Sequence, residues 1–289
     1  MSLPTFVVAG AQKCGTTTLH RMLRQHPQVF MSRTKELHFF DHHWDEGIDW
    51  YSSHFRPHRT YVPPRRRQVH AGESTPTYMY DPQACERMRK TLPDVRVVII
   101  LRDPTKRAYS HYWHSRRKGL ERVESFEKAL EREQARVARD GLRRRARFSY
   151  VRRGEYIDQI GALESAYGRD RLHVILLDDL VADHVAVLTS LFGFLGIKTS
   201  RARRIGARQA NPGRPAMGAA ALTASPPGAL VTADPGDDDE GEEVDDRQAT
   251  PMTVYPPMIA ETREMLAAYY RPFNDRLAAW LGRDLSHWG

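Results

Sequence analysis

The chain has 289 residues, 40% of them hydrophobic and 28% charged, which excludes a disordered or fibrous protein and leaves room for one large α/β domain or two small ones. No apolar run approaches the ~20 residues that span a bilayer, and two cysteines, Cys14 and Cys85, exclude a disulfide scaffold or a cysteine-built zinc site. Lys and Arg outnumber Asp and Glu by 44 to 36, but no zinc finger or aromatic–basic RNA motif accompanies the excess, so a small polyanionic ligand is expected rather than nucleic acid.

In chain order, Pro4–Ala11 (PTFVVAGA) reads as a buried strand ending in glycine. Thr16–Gln25 follows helical spacing, with Leu19, Met22 and Leu23 on one face. Val95–Leu101 (VRVVIIL) has the near-continuous hydrophobicity of a strand covered on both faces. Helix-compatible sequence resumes at Pro104, a good first-turn residue, and a basic helical stretch covers Arg132–Arg147. A third strand, Leu172–Leu177, precedes a helix over Asp183–Leu195. Residues Arg201–Thr250 turn rich in Gly, Pro, Ala and Ser and then acidic (DDDEGEEVDD), the composition of a mobile loop, either a lid or a surface insertion. Helical patterning returns over Met258–Leu281. Strands alternating with helices predict an α/β fold with a central parallel sheet flanked by helices, one domain over residues 1–289 with 201–250 as a loop within it.

The most informative segment follows the first strand: Gly10-Ala-Gln-Lys-Cys-Gly-Thr-Thr17. Gly10 and Gly15 permit a tight loop whose N–H groups form a nest for anionic oxygens, and the next helix turns its positive end to the same place. Thr16, Thr17 and Thr18 add hydroxyls, and Lys13 adds a full charge. In a nucleoside-triphosphate P-loop lysine directly follows the second glycine; here Thr16 stands there and the lysine has moved into the loop. The second buried strand ends in Arg102 rather than in metal-binding carboxylates. The pattern suits phosphate-type anions held by cations and amides, with no metal expected. At the second junction, Leu101-Arg-Asp-Pro-Thr-Lys-Arg-Ala-Tyr-Ser-His-Tyr112, Arg102 sits at a strand end and Ser110 two helical turns later. Together they suit a second phosphate, so that one nucleotide carries anions at both ends.

These two segments resemble the cofactor signatures of sulfotransferases that use 3′-phosphoadenosine-5′-phosphosulfate (PAPS). Lys35–Asp41 (KELHFFD) and Glu73–Tyr78 (ESTPTY) are similar to further landmarks of the carbohydrate, heparan-sulfate-like branch, as are GEYIDQI at Gly154–Ile160 and FLGI near Phe194. The resemblance implies a P-loop-like three-layer fold. It implies that the loop from Gly10 through Lys13, Cys14, Gly15, Thr16, Thr17 and Thr18 cradles the 5′-phosphosulfate, that Arg102 and Ser110 bind the 3′-phosphate, and that Glu36 is the base. His38 and Asp41 are placed near the acceptor. A late basic loop against the 3′-phosphate falls on Arg208 or Arg214, and a lysine common in the branch is replaced here by Ser74.

Sulfuryl transfer between two oxygens needs positioning and charge stabilisation more than covalent chemistry. Glu36 is expected to be partly buried, its pKa raised toward neutrality by desolvation. His38, His42 and His43 with Asp41 and Asp45 offer a competing metal-site reading, disfavoured because the run is short and lacks a distant partner pair. Phe39 and Phe40 read as core or pocket wall; Tyr78, Tyr80, Tyr109, Tyr112 and Trp113 are candidates to line an organic acceptor site. Cys14 is expected to have a depressed pKa at the helix start. The leading expectation is a PAPS-dependent sulfotransferase acting on a hydroxyl of a small-molecule, glycan or lipid acceptor. A P-loop kinase and a non-enzymatic nucleotide-binding scaffold are the competitors. With no basic leader at its N-terminus, the chain is expected to be cytoplasmic.

Overall fold

The computed structural model describes residues 3–55, 70–139, 147–206 and 255–289. Five short strands form one parallel sheet in the order β2-β3-β1-β4-β5: β1 (Phe6–Gly10), β2 (Val29–Met31), β3 (His70–Ser74), β4 (Arg96–Leu101) and β5 (Leu172–Leu176). The described helices are α1 (Thr16–Arg24), α2 (Gly47–Ser53), α3 (Pro82–Thr91), α4 (Pro104–Arg117), α5 (Phe126–Arg139), α6 (Tyr156–Tyr167), α7 (Leu177–Ala182), α8 (His184–Leu195) and α9 (Ala260–Leu281).

The central strands are buried because their side chains are apolar on both faces. Every residue of β1 is buried, and Val97 through Leu101 of β4 are fully so. Each such side chain contributes roughly 1.5–3 kcal/mol on leaving water. Helix starts follow local chemistry. Asp81 caps α3, Asp103 caps α4 and Asp183 caps α8, each carboxylate accepting from two backbone N–H groups, with proline in the first turn of α3 and α4. Helix α1 departs from this pattern: its N-cap is Gly15 in the left-handed region (φ 96°), which gives no side-chain cap.

β1 pairs with β3 on one side and β4 on the other. The chain leaves β1 for one edge of the sheet and later returns to the opposite side, so a crevice opens beyond the carboxyl end of β1, the usual ligand position in open α/β sheets. Both anion-loop candidates lie at this end, after β1 and after β4.

The predicted strands and helices around these junctions form within a few residues of their expected bounds. Two strands went unanticipated, β2 and β3. Leu177 starts α7 rather than ending β5. The irregular stretch expected from Arg201 begins in order: Thr199–Arg204 is a 3-10 helix, with Ala202 and Ile205 buried. The chain separates into two units, Met1–Ala210 with Met258–Gly289, and Asn211–Pro257. Most of the expected 201–250 loop, with Arg208 and Arg214, lies outside the described residues.

Candidate active site

The loop between β1 and α1 is shaped by close packing and by left-handed backbone. A Cβ placed on Gly10 would lie 1.8 Å from Met79 Sδ, so no larger residue fits there without moving Met79. Ala11 N–H donates to Ile100 O at 2.8 Å, tying the loop to β4, and Lys13 takes φ 69°. The Lys13 ammonium has no ion-pair partner among the described residues. Burial, aided by Arg117, Lys35 and Lys118 and opposed by Glu36, pushes its pKa down to about 8. A half-buried cation at an uncapped helix start leaves an unmet preference for an anion. Thr16 and Thr18 are buried and Thr17 half-buried in the first turn. Cys14 is fully buried, and burial pushes its thiol up, not down as expected from the helix start. It is a packed thiol rather than a reactive thiolate.

The second group of residues follows β2. Glu36 (φ 66°) and His38 (φ 51°) are both left-handed, as is Lys13, so three of the chain's non-glycine residues in this sparsely populated region are the nominated catalytic ones. Backbone bonds hold the segment: Glu36 N–H donates to Ser74 O at 3.0 Å, and Phe39 N–H to the Tyr78 hydroxyl at 2.9 Å. The Glu36 side chain is 37% exposed, and it pairs with Lys35. Burial pushes its carboxyl up, but Lys35 and His38 outweigh burial and hold it well below the usual carboxylate range. The expected rise toward neutrality is therefore corrected: neighbouring positive charge wins over desolvation, and Glu36 is ionised at neutral pH. His38 Nδ1 lies 2.9 Å from Asp41 Oδ2, and its Nε2 lies 3.8 Å from Glu36 Oε2. Although burial disfavours its charge, these two carboxylates raise His38 to about 10, making it an imidazolium. Thr77 Oγ1 completes the row by donating to Asp41 Oδ2 at 2.5 Å.

Helix α4 contributes residues that sequence reasoning missed. His114 is influenced by Lys13, Lys118, Arg117 and Glu36 and, chiefly through burial, is pushed down to about 3, an uncharged imidazole. Arg117 and Lys118 lie exposed at the same helix end. The buried guanidinium of Arg153 donates to Gln12 Oε1 of the anion loop, covers the Tyr80 ring at 4.8 Å, and is influenced by Asp41 and Glu36. Sequence offers no signal for these contacts, because they join positions roughly a hundred residues apart.

At the second junction, Arg102 and Ser110 are half-buried, and Arg102 makes no ion pair among the described residues. The neighbouring Asp103 carboxylate is spent on Thr105 N–H (2.9 Å), Lys106 N–H (3.3 Å) and the Lys106 ammonium (3.2 Å). Unlike α1, helix α4 thus fills its own N-terminus, and an anion here would rely on side chains. The aromatic candidates divide. Tyr78 and Tyr112 are fully buried, and Tyr109 and Trp113 pack against a cluster with Phe126 and Tyr150. Phe39 and Phe40 are core, and Tyr80 stays beside Arg153. Ser74 Oγ lies 3.1 Å from His20 Nδ1, toward α1. Of the residues weighed for a metal, His38, Asp41 and His42 offer atoms within 4.8 Å of one another, whereas His43 and Asp45 do not join them. Asp41 there is already bonded by His38 and Thr77.

The carboxylate best placed inside the protein is one the sequence reading treated only as a landmark. Glu73 is fully buried in β3, accepts from the Tyr51 hydroxyl and from Thr75 Oγ1 (2.8 Å), and is pushed up by burial to about 7. Through Tyr78, 3.4 Å from Glu73 Oε2, it supports the backbone of Phe39.

Comparison with known proteins fits this geometry. The family profile described as "Sulfotransferase domain" matches residues 3–209. The Membrane-associated sulfotransferase kil1 of Dictyostelium discoideum is 34% identical over 138 residues, covering 46% of this chain and 28% of that protein. The human Bifunctional heparan sulfate N-deacetylase/N-sulfotransferase 3 is 34% identical over 120 residues, 39% of this chain and 13% of that protein. The match therefore spans less than a third of either relative's length. A solved structure of a sulfotransferase from Alicyclobacillus acidocaldarius superposes with TM-score 0.66 at 26% identity, covering 100% of this chain and 99% of that one. The loop after β1, the parallel sheet that carries it and the length of the profile match agree: the chain belongs to the sulfotransferase domain family.

Proposed function

We propose that the protein moves the sulfuryl group of PAPS directly onto a hydroxyl of a small-molecule, glycan or lipid acceptor. The observation that carries this reading is the Lys13 ammonium, half-buried, unpaired among the described residues and set at a helix start that its own N-cap does not fill. The residues fit the donor. Gly10 through Thr18 would hold its 5′ phosphosulfate, and Arg102 with Ser110 its 3′-phosphate. When bound, PAPS supplies an activated sulfuryl group on a phosphate leaving group. Lys13 sets positive charge where negative charge gathers on that phosphate. Glu36, ionised at neutral pH, takes the acceptor proton. The His38 imidazolium, anchored by Asp41, fixes the Glu36 carboxylate from its other side.

The kinase reading finds less support, since Thr16 replaces the P-loop lysine and Asp103 is committed to capping α4. Similarity to a heparan sulfate N-sulfotransferase favours a glycan among the acceptor classes, while Ser74 bonded to His20 argues for acceptor contacts that differ from that branch. The test is incubation with labelled PAPS and a panel of hydroxylated acceptors, reading product mass and release of adenosine 3′,5′-bisphosphate. Release that persists in EDTA and disappears in Lys13→Ala is expected. Transfer abolished by EDTA would favour the kinase, and an activity indifferent to both Lys13→Ala and Glu36→Gln would favour a scaffold.

A further inference from the structure

The two anion loops are joined by a third segment that neither contains. Tyr156, buried at the start of α6, donates its hydroxyl to Arg102 O at 2.9 Å, at the root of the second loop. Cys14 Sγ of the first loop lies 3.5 Å from the same oxygen, its thiol proton shared between that oxygen and Gln12 O at 3.8 Å. Three residues earlier, Arg153 reaches Gln12 of the first loop. This segment is itself held from behind. Glu133 of α5 accepts from Val151 N–H at 2.9 and 3.0 Å. The Tyr270 hydroxyl of α9 donates to Val151 O at 2.9 Å. Gly154 lies so close beneath Tyr270 that a Cβ would come within 2.7 Å of its ring. Two loops from different strands thus meet on one phenol oxygen, in a stretch of chain that Val151 ties to two further helices.

We propose that the segment Arg153–Tyr156 is a positioning strut that fixes the span between the two anion loops, with the Tyr156 hydroxyl as the point where they are tied. The inference rests on the reading that both loops hold one nucleotide. Holding them at a set separation means that a ligand engaging one phosphate finds the other site already in place, so the strut's contribution appears only with a ligand that bridges both. It predicts no contact between Tyr156 and the ligand.

The experiment compares adenosine 3′,5′-bisphosphate with adenosine 5′-monophosphate by calorimetry, in wild type and Tyr156→Phe, alongside thermal unfolding. Wild type should prefer the bisphosphate by at least about tenfold, the worth of one charge-assisted phosphate contact. Tyr156→Phe should weaken the bisphosphate about tenfold and leave the monophosphate within about twofold, collapsing the preference. Equal weakening of both ligands, or an unchanged preference, overturns the strut alone. A wild-type preference near one overturns the single-nucleotide reading, and the strut with it. Should Tyr156→Phe fail to fold, Arg153→Lys tests the same link from the first loop: it keeps the charge but gives up the guanidinium bond to Gln12 Oε1, and the same loss of preference is expected.

Discussion

Lys13 makes the sharpest test of the site, because its charge is titratable where few lysines titrate. In the free protein its pKa is pushed down to about 8, against an ordinary value of 10.5. The 5′-phosphate beside it restores the charged form, returning the bound pKa to the ordinary value or above. Ligand binding then drives proton uptake, and affinity is lost as pH rises through the free-state pKa. At pH 7 about nine in ten free molecules already carry the charge; at pH 9 about one in eleven does, so bisphosphate affinity should fall roughly tenfold between those values. Uptake should approach about 0.9 proton per ligand bound at pH 9 and only about 0.1 at pH 7. Nucleotide phosphates lose their second proton near pH 6 and add little slope in this window. Titration calorimetry with adenosine 3′,5′-bisphosphate, in two buffers of different ionisation enthalpy, measures both quantities. Lys13→Ala should bind more weakly and show neither effect. A dissociation constant flat within twofold from pH 7 to 9, or a slope that survives in Lys13→Ala, would refute the assignment of Lys13 as the anion partner.

Glu36→Gln should lower the transfer rate by about 10²–10⁴-fold while bisphosphate affinity stays within about threefold, measured by product release and calorimetry; a matching loss of affinity would remove Glu36 from the base role. Glu73, its carboxyl raised to about 7, favours the fold in its neutral form. Its stabilisation is complete below the unfolded carboxyl value and is lost as pH rises toward 7, at most about 3 kcal/mol. Glu73→Gln should flatten that slope in urea titrations between pH 5 and 8. Gly10→Ala forces a methyl group against Met79 and should cost about 1–3 kcal/mol in denaturant unfolding, with Met79→Ala recovering part of the loss.

What the sequence displays depends on how each element hides its polar groups. β1, β4 and β5 announce themselves because they are apolar runs buried in a parallel sheet. β3 does not, because its buried residues include Glu73 and Ser74, satisfied by Tyr51, Thr75 and His20 rather than by apolar side chains. β2 spans three residues, too short for any period to register. The same contrast runs through the site. The loop from Gly10 to Thr18 and the segment around Glu36 are contiguous motifs and were legible as such. His114, Arg117, Lys118 and Arg153 are brought to them by α4 and the start of α6, contacts that local spacing does not encode. Protonation was the least legible part. Burial sets the direction for Cys14 and Lys13, whereas Lys35 and His38 set it for Glu36, so the sign for Glu36 and Cys14 came out opposite to that expected from the sequence.

Lys13, Glu36 and His38 each sit in a backbone region that glycine would occupy more comfortably, at a cost of order 1 kcal/mol apiece. At Lys13, which has no ion-pair partner among the described residues, thermal selection alone would find that gain, whereas at Glu36 and His38 the lost pairs with Lys35 and Asp41 would offset it. On the proposed function the Lys13 winners of such a selection would be sturdier and idle, and positions at which heat tolerance and turnover pull apart would mark out the active site without a substrate in hand.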